Sequence, residues 1–288
     1  MTGATSRPGE TARSTADGSV EGRVVGLLQV SVALVLLGRG WLTYRWSSPI
    51  RGLLWDEVLM TPILARFGIA WPDYAAGSDA GITLGLKVAG VVLTISALLV
   101  LLVRRAPRAA ALALMPSMVI LLLDGYARYS ERDFEIGMGL EGALQWGAPM
   151  ILLLCARSGV TGRLWKGLLL LAAAATFTGH GLYAVGFHPV PWQFEAMVEN
   201  ILGTGPLATN RLLLCAGLLD FAAVTALWWR RTRMLALGYM VIWGAATALA
   251  RPVANDGLDP WLAQLVVRTP HWAIPLALLV LLRSSSRH

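Results

Sequence analysis

The chain has 288 residues, of which 56% are apolar and only 14% charged. A soluble domain carries about 25% charged residues, and a disordered chain is also polar and charged, so this composition excludes an ordinary globular enzyme and a disordered protein. The net charge of +7 would suggest nucleic acid as a partner of a soluble protein. Here the basic residues lie mainly in short loops beside apolar runs, so we expect no nucleic-acid partner and predict an all-α polytopic membrane protein.

The first 22 residues are polar and rich in Gly, Ser and Thr, which is typical of a disordered tail. Eight apolar segments follow, and each is long enough to cross about 30 Å of hydrocarbon as a helix. The predicted spans are 24–44, 81–103, 109–127, 137–156, 164–185, 207–229, 234–250 and 261–282. The lipid bilayer is therefore the first expected partner, and the sequence sets no oligomeric state.

Two connections between these spans, 45–80 and 186–206, are long and aromatic. Apolar and polar residues alternate along them at helical spacing, which predicts amphipathic helices lying at a membrane interface. An ordinary apolar loop is the alternative. The tryptophans suited to anchor such helices are Trp46, Trp55, Trp71 and Trp192.

Charge asymmetry predicts the side of the membrane that each loop faces. One set of segments holds 14 basic and 3 acidic residues, whereas the rest of the chain holds 10 basic and 14 acidic ones. The first set comprises the tail with Arg23, the loops 104–108, 157–163 and 230–233, Lys166 and the C-terminal end. Because positively charged loops stay in the cytoplasm, we expect both termini there and the long connections outside, in a bacterial-type inner membrane.

The two halves of the chain resemble each other, which predicts an internal duplication of four-span units over 23–157 and 158–288. Matches at a shift of 141 residues pair Gly26-Leu27-Leu28 with Gly167-Leu168-Leu169 and Gly38-x-Gly40 with Gly179-x-Gly181. Matches at a shift of 126 pair Arg104-Arg105 with Arg230-Arg231, Trp146 with Trp272 and Pro149 with Pro275. The 15-residue change in shift equals the difference in length between the two long connections. Four spans per unit make the repeat a parallel one.

A four-span unit whose first helix ends in G-x-G and is followed by an outer amphipathic segment resembles the DoxX/DoxD-like membrane proteins, here in tandem. The phrases GRGWLTYRWSSPIRGLLWDE, LEGALQWGAP and TFTGHGLYAVGFHPVP resemble those of other bacterial multispan membrane proteins. The eight-span total with aromatic outer helices also resembles the membrane part of the vitamin K-dependent carboxylase (HTTM) group. These resemblances imply membrane redox, quinone or lipid-linked chemistry. The chain departs from both families: it has no segment long enough for the carboxylase's extramembrane domain, and Cys155 and Cys215 form no thiol pair. No catalytic residue is therefore carried over.

Polar residues within the predicted spans are the candidate functional residues, because such groups are costly in hydrocarbon. Most lie toward the expected outer side, where sharing one hydrated pocket is the cheapest arrangement. The predicted pocket residues are Arg39, Asp124, Glu141, Gln145, His180, Asp220 and His271. The alternative is a purely structural role, with Arg128 neutralising Asp124 or Glu141 and Arg251 neutralising Glu195.

Three roles are open to His180 and His271. Packing within the protein ranks first, hydrogen bonding to a quinone or lipid carbonyl second, and bis-imidazole ligation of a haem last. No phosphate loop, nucleophile elbow or metal-ligand spacing is present, so we expect no metal site and leave open whether the protein is an enzyme.

The predicted function is binding of a quinone-like or lipid-like molecule in an outer-facing polar pocket, for redox or lipid chemistry of the cell envelope. A secondary transporter is the first alternative, because Asp220 lies near the middle of its span, where coupling carboxylates are found. A non-catalytic subunit of a membrane complex is the second.

Overall fold

The computed structural model describes residues 8–158 and 163–285, and within these ranges the chain is helical and contains no strand. The helices are α1 (Pro8–Trp46), α2 (Ile50–Leu54), α3 (Glu57–Ala65), α4 (Trp71–Gly77), α5 (Asp79–Val100), α6 (Pro107–Ser130), α7 (Ile136–Glu141), α8 (Ala143–Ser158), α9 (Arg163–Ala184), α10 (Trp192–Leu202), α11 (Pro206–Ala226), α12 (Arg233–Ala254), α13 (Trp261–Val267) and α14 (Thr269–Ser285). Eight stretches among the described residues are long and apolar enough to cross a membrane. They run over 22–46, 79–100, 107–130, 136–157, 164–184, 206–226, 233–254 and 261–284, so the predicted all-α multi-pass class is confirmed.

The N-terminal part of α1 differs from the expected disordered tail. The helix extends back to Pro8, well before the first span begins. Nucleation is the costly step of helix formation, and an apolar span that is already helical removes this cost for the residues that precede it. Residues 1–7 lie outside the described ranges.

Two of the predicted spans are interrupted. The fourth consists of α7 and α8, which meet at Gly142, and the eighth consists of α13 and α14, which meet at Arg268. Pro270 explains the second break, because it lacks a backbone N–H and fits the first turn of a new helix better than the middle of an old one. Glycine has a low helix propensity, which makes Gly142 a weak point in the first.

The first long connection forms three short helices, α2 to α4, and the second forms α10. Asp56 separates α2 from α3 by accepting a hydrogen bond from the backbone N–H of Leu59 at 3.0 Å, which caps the new helix. Gly68, with a positive φ of 70°, turns the chain between α3 and α4. The predicted helices are thus present in both connections, and their position at a membrane interface stays a prediction.

The helix bundle has an inner and an outer set of spans. The first, fourth, fifth and eighth spans bury a larger share of their surface within the protein than the other four. Their apolar side chains form most of the core, which includes the fully buried Leu36, Leu152, Leu169 and Ile274. At one end of the bundle lie the connections 47–78, 131–135, 185–205 and 255–260, which we call the long-loop face.

Candidate functional site

Asp124, on α6, is the centre of a buried charge cluster near the long-loop face. Its carboxylate lies 3.3 Å from Arg39 Nη1 and 2.9 Å from Arg128 Nε, and it accepts a hydrogen bond from Ser48 Oγ at 2.9 Å. Arg39 also donates from Nη2 to Gln145 Oε1 at 2.6 Å. Arg39, Asp124 and Gln145 are all less than 7% exposed, so the interaction links α1, α6 and α8 inside the protein.

A second cluster forms where the two interrupted spans break. Glu141 ends α7, and Arg268 caps the C-terminus of α13. Glu141 Oε1 lies 3.5 Å from Arg268 Nη2 and 3.5 Å from His180 Nε2. Arg268 also donates from Nη1 to Gln264 Oε1 at 3.0 Å. The breaks therefore bring a carboxylate and a guanidinium from different spans together at similar depth.

His271 is packed against His180, with the ring centroids 5.3 Å apart. Nδ1 of His271 lies 3.0 Å from the Arg268 carbonyl oxygen, which can only accept, so Nδ1 is the donor of this hydrogen bond. Rings this close leave no room for a porphyrin plane between them, and the geometry does not fit bis-histidine haem. In the described ranges, no group of three His, Cys, Asp or Glu side chains is placed to hold a metal ion.

Asp220 lies apart from both clusters, on α11. It is 2% exposed and accepts a hydrogen bond from the Tyr239 hydroxyl at 2.8 Å. Fourteen residues separate it from Pro206, where α11 begins, which corresponds to a depth of about 21 Å along the helix. Asp220 is thus deeper in the bundle than the two clusters.

A cavity of about 340 Å³ opens between the two clusters and the long-loop face; we call it the basic cavity. Five of its wall residues are arginines and two are glutamates. Its lining comprises Arg39, Arg128, Glu131, Arg132, Met138, Glu141, Gly142, Gln145, Trp146, Pro191, Gln193, Phe194, Arg251, Pro260, Trp261, Gln264 and Arg268.

A second cavity, of about 480 Å³, lies between α9, α10, α11 and α12; we call it the apolar cavity. Its lining comprises His180, Ala184, Phe194, Met197, Val198, Ile201, Leu202, Leu212, Leu213, Ala216, Asp220, Trp243, Ala246, Thr247, Ala250 and Arg251. Phe194 and Arg251 belong to both linings, so the cavities adjoin at these two side chains. Ile201, Leu202 and Leu212 are 42%, 60% and 43% exposed, so the apolar cavity reaches the outside of the bundle.

The wall of the basic cavity beside α8 depends on two glycines. A Cβ at Gly142 would overlap the Trp146 ring, and one at Gly125 would come within 2.5 Å of the same ring. The absence of both side chains lets the indole pack against Gly125 of α6 and against the α7–α8 junction at Gly142. No described group accepts a hydrogen bond from Trp146 Nε1, although this nitrogen is buried.

The sequence predicts one pocket for seven residues, but the structure places them in three different positions. Arg39, Glu141 and Gln145 line the basic cavity. His180 and Asp220 line the apolar cavity. Asp124 and His271 line neither cavity, but each contacts a residue that does: Asp124 contacts Arg39, and His271 contacts His180.

No family model, curated protein or solved structure matches this chain. Two residues of the basic cavity, Arg251 and Arg268, are absent from the predicted pocket, although both are arginines in or beside apolar spans. The predicted pair of Asp124 with Arg128 is present, whereas Arg251 and Glu195 form no ion pair within the described part of the chain.

Proposed function

We propose that this membrane protein binds an amphiphile of the lipid or quinone class, with its polar head in the basic cavity and its chain in the apolar cavity. The observation that carries the proposal is the junction of the two cavities at Phe194 and Arg251. A polar compartment joined to an apolar one matches an amphiphile, whose polar head is joined to an apolar chain. Each volume is within the range of about 300–1,000 Å³ that is usual for small-molecule sites.

The position of the apolar cavity supports entry of the chain from the bilayer. Leu202 and Leu212 line the cavity and are also exposed on the surface of the bundle. These side chains lie on α10 and α11, next to the long-loop face. An acyl or isoprenoid chain can pass from the membrane into the cavity here while its head remains near the interface.

We propose that the long-loop face is the outer one and that both termini are in the cytoplasm of a bacterial-type cell. The charge bias between the two sets of loops supports this orientation. The site would then serve envelope redox or lipid chemistry, which is also the chemistry that the DoxX/DoxD-like and HTTM resemblances imply. In this orientation the ligand comes from the outer leaflet.

We also propose that the chain is a tandem duplication of a four-span unit. The helix breaks at Gly142 and Arg268 are 126 residues apart, the shift found in the sequence matches. Gly38 packs against Ala263 and Val267, and Gly179 packs in the same way against Gly137 and Glu141. Gly38 and Gly179 are related by the 141-residue shift, and Gly137 and Glu141 are related to Ala263 and Val267 by the 126-residue shift. These equivalent close contacts support a common origin of the two units and a site between them.

The test is native mass spectrometry of the protein purified in a mild detergent. The wild-type protein should retain an amphiphile, and Ala216→Phe should lose it because the ring fills the apolar cavity. Ala222→Phe is the matched control, since Ala222 is on the same helix but exposed and outside both cavities. The proposal fails if the wild-type protein carries no amphiphile, or if Ala216→Phe retains as much of it as the control.

A further inference from the structure

Arg251 is a buried cation without a hydrogen-bond or ion-pair partner among the described residues. The residue is 7% exposed, and its guanidinium forms no hydrogen bond or ion pair with any residue in the described ranges. It lies at the junction of the basic and apolar cavities. A buried charge without a counter-charge is strongly unfavourable, so the arrangement calls for an anion from outside the described chain.

The carboxylate of Glu141 acts on Arg251 only from beyond ion-pair distance, and it is already paired with Arg268. Asp124 neutralises Arg39 and is shared with Arg128, while Glu141 pairs with Arg268. These four arginines of the basic cavity, including Arg251, thus face two carboxylates. The lining also holds a fifth arginine, Arg132, and a second glutamate, Glu131, whose charges offset each other in the count. Two positive charges thus remain unbalanced among the described residues around the cavity.

We infer that the head group bound in the basic cavity is a phosphate on a lipid chain, of the phosphomonoester class, with Arg251 as its principal ligand. The inference rests on the proposed function. A phosphomonoester carries about two negative charges near neutral pH, which balances the surplus. The planar guanidinium of Arg251 presents paired donors that match phosphate oxygens. A quinone head offers carbonyl acceptors but no charge, so it would leave the surplus in place.

The junction at Arg251 favours a lipid phosphate over free phosphate. A phosphate held there has the apolar cavity directly beside it, with Phe194 between the two compartments. Inorganic phosphate would occupy the basic cavity and leave the apolar one empty. A phosphate at the end of an acyl or isoprenoid chain fills both.

The experiment compares two ligands that differ only in the phosphate. Delipidated protein in dodecyl maltoside is titrated with dioleoyl phosphatidic acid or dioleoylglycerol, and binding is read by native mass spectrometry. The wild-type protein should bind phosphatidic acid tighter by roughly tenfold or more, the effect of one charge-assisted hydrogen bond. Arg251→Gln should lose that advantage. Arg211→Gln, which removes an exposed arginine outside both cavities, should keep it.

A second readout separates ligand binding from a structural role of Arg251. Without ligand, Arg251→Gln should melt at the same temperature as the wild-type protein or higher, because it removes an unpaired buried charge. With phosphatidic acid it should gain less stability than the wild-type protein. A fall in melting temperature without ligand would assign Arg251 to the fold and overturn the inference.

The remaining outcomes distinguish a lipid phosphate from free phosphate, and a failure of phosphate recognition from a failure of the proposed amphiphile site. If millimolar inorganic phosphate displaces phosphatidic acid, and raises the melting temperature of Ala216→Phe as much as that of the wild-type protein, the site binds the free anion and the lipid assignment is overturned. Equal binding of the two lipids, or full affinity in Arg251→Gln, overturns the phosphate and leaves the amphiphile site intact. Failure of the wild-type protein to bind either lipid contradicts the proposed function itself.

Discussion

Neutralising Asp124 should destabilise the fold strongly. Asp124→Asn keeps the size of the side chain but removes the negative charge that Arg39 and Arg128 share. Arg39 is 6% exposed, so it becomes a buried cation that has lost its ion-pair partner. Removing one partner of a buried ion pair costs about 3–5 kcal/mol. We expect a loss near the lower end, about 3 kcal/mol, because the amide oxygen still accepts from Ser48 and the arginines.

The assay is the free energy of unfolding in bicelles, measured by steric trapping. Asp79→Asn is the matched control, since Asp79 pairs with Arg51 in an ion pair whose side chains are 62% and 34% exposed. Solvent screens such a pair, and its loss should cost about 0–1 kcal/mol. The difference between the two variants measures the effect of burial on the same chemical change.

A double variant tests the cause directly. Arg39→Gln combined with Asp124→Asn removes both charges, so the combined loss should be smaller than the sum of the single losses by at least about 1 kcal/mol. The reasoning is refuted if the two single losses simply add. It is equally refuted if Asp124→Asn costs no more than Asp79→Asn.

Three further predictions concern packing, pH and topology. Gly179→Ala should cost about 1–3 kcal/mol of unfolding free energy, because its Cβ would come within 2.6 Å of the Gly137 carbonyl oxygen on α7. Gly167→Ala, on the same helix, has open space around its Cβ and should cost nothing, so equal losses for the two variants would contradict the packing argument. The pKa of Asp259 is lowered from 3.8 by hydrogen bonds from two tryptophan indoles. The ionised Asp259 therefore stabilises the fold above pH 3.8, and this contribution is lost as the pH falls through the lower pKa of the folded state. The two indole N–H signals in NMR should therefore titrate below pH 3.8, and a midpoint at or above it would show that the bonds do not form. In a cysteine-free background, a cysteine at Asp256 should react with an impermeant reagent in intact cells and one at Arg105 should not; the reverse pattern would invert the topology.

The spans can be predicted from the sequence because placing a polar side chain in hydrocarbon is costly, so a membrane-crossing helix needs a long run of apolar residues. The same cost marks Arg39, Asp124, Glu141 and Gln145 as candidate functional residues from the sequence alone. Which of them meet cannot be predicted, because the lipid-facing and protein-facing sides of a membrane helix are equally apolar. The sequence therefore indicates depth but not the neighbouring helix.

The helix breaks escape prediction for a related reason. A hydropathy pattern averages over a whole span, so one glycine or one arginine within apolar residues does not interrupt it. The helices break at Gly142, where glycine has a low helix propensity, and at Arg268, just before a new helix that has Pro270 in its first turn. The sequence offers Glu195 as a partner for Arg251, and only the three-dimensional arrangement reveals that Arg251 has none in the described ranges.

The packing of α1 against α13 and α14 determines the order in which the protein can mature during synthesis. Gly38 has its packing partners, Ala263 and Val267, on the eighth span, more than 200 residues later in the chain. At about 5–20 residues per second, the first span is complete for roughly 10–45 s before this neighbour is synthesised. Arg39 meets Asp124 and Gln145 earlier, as soon as the third and fourth spans have emerged. All members of the buried charge cluster are thus synthesised, and able to meet, before the last span is added.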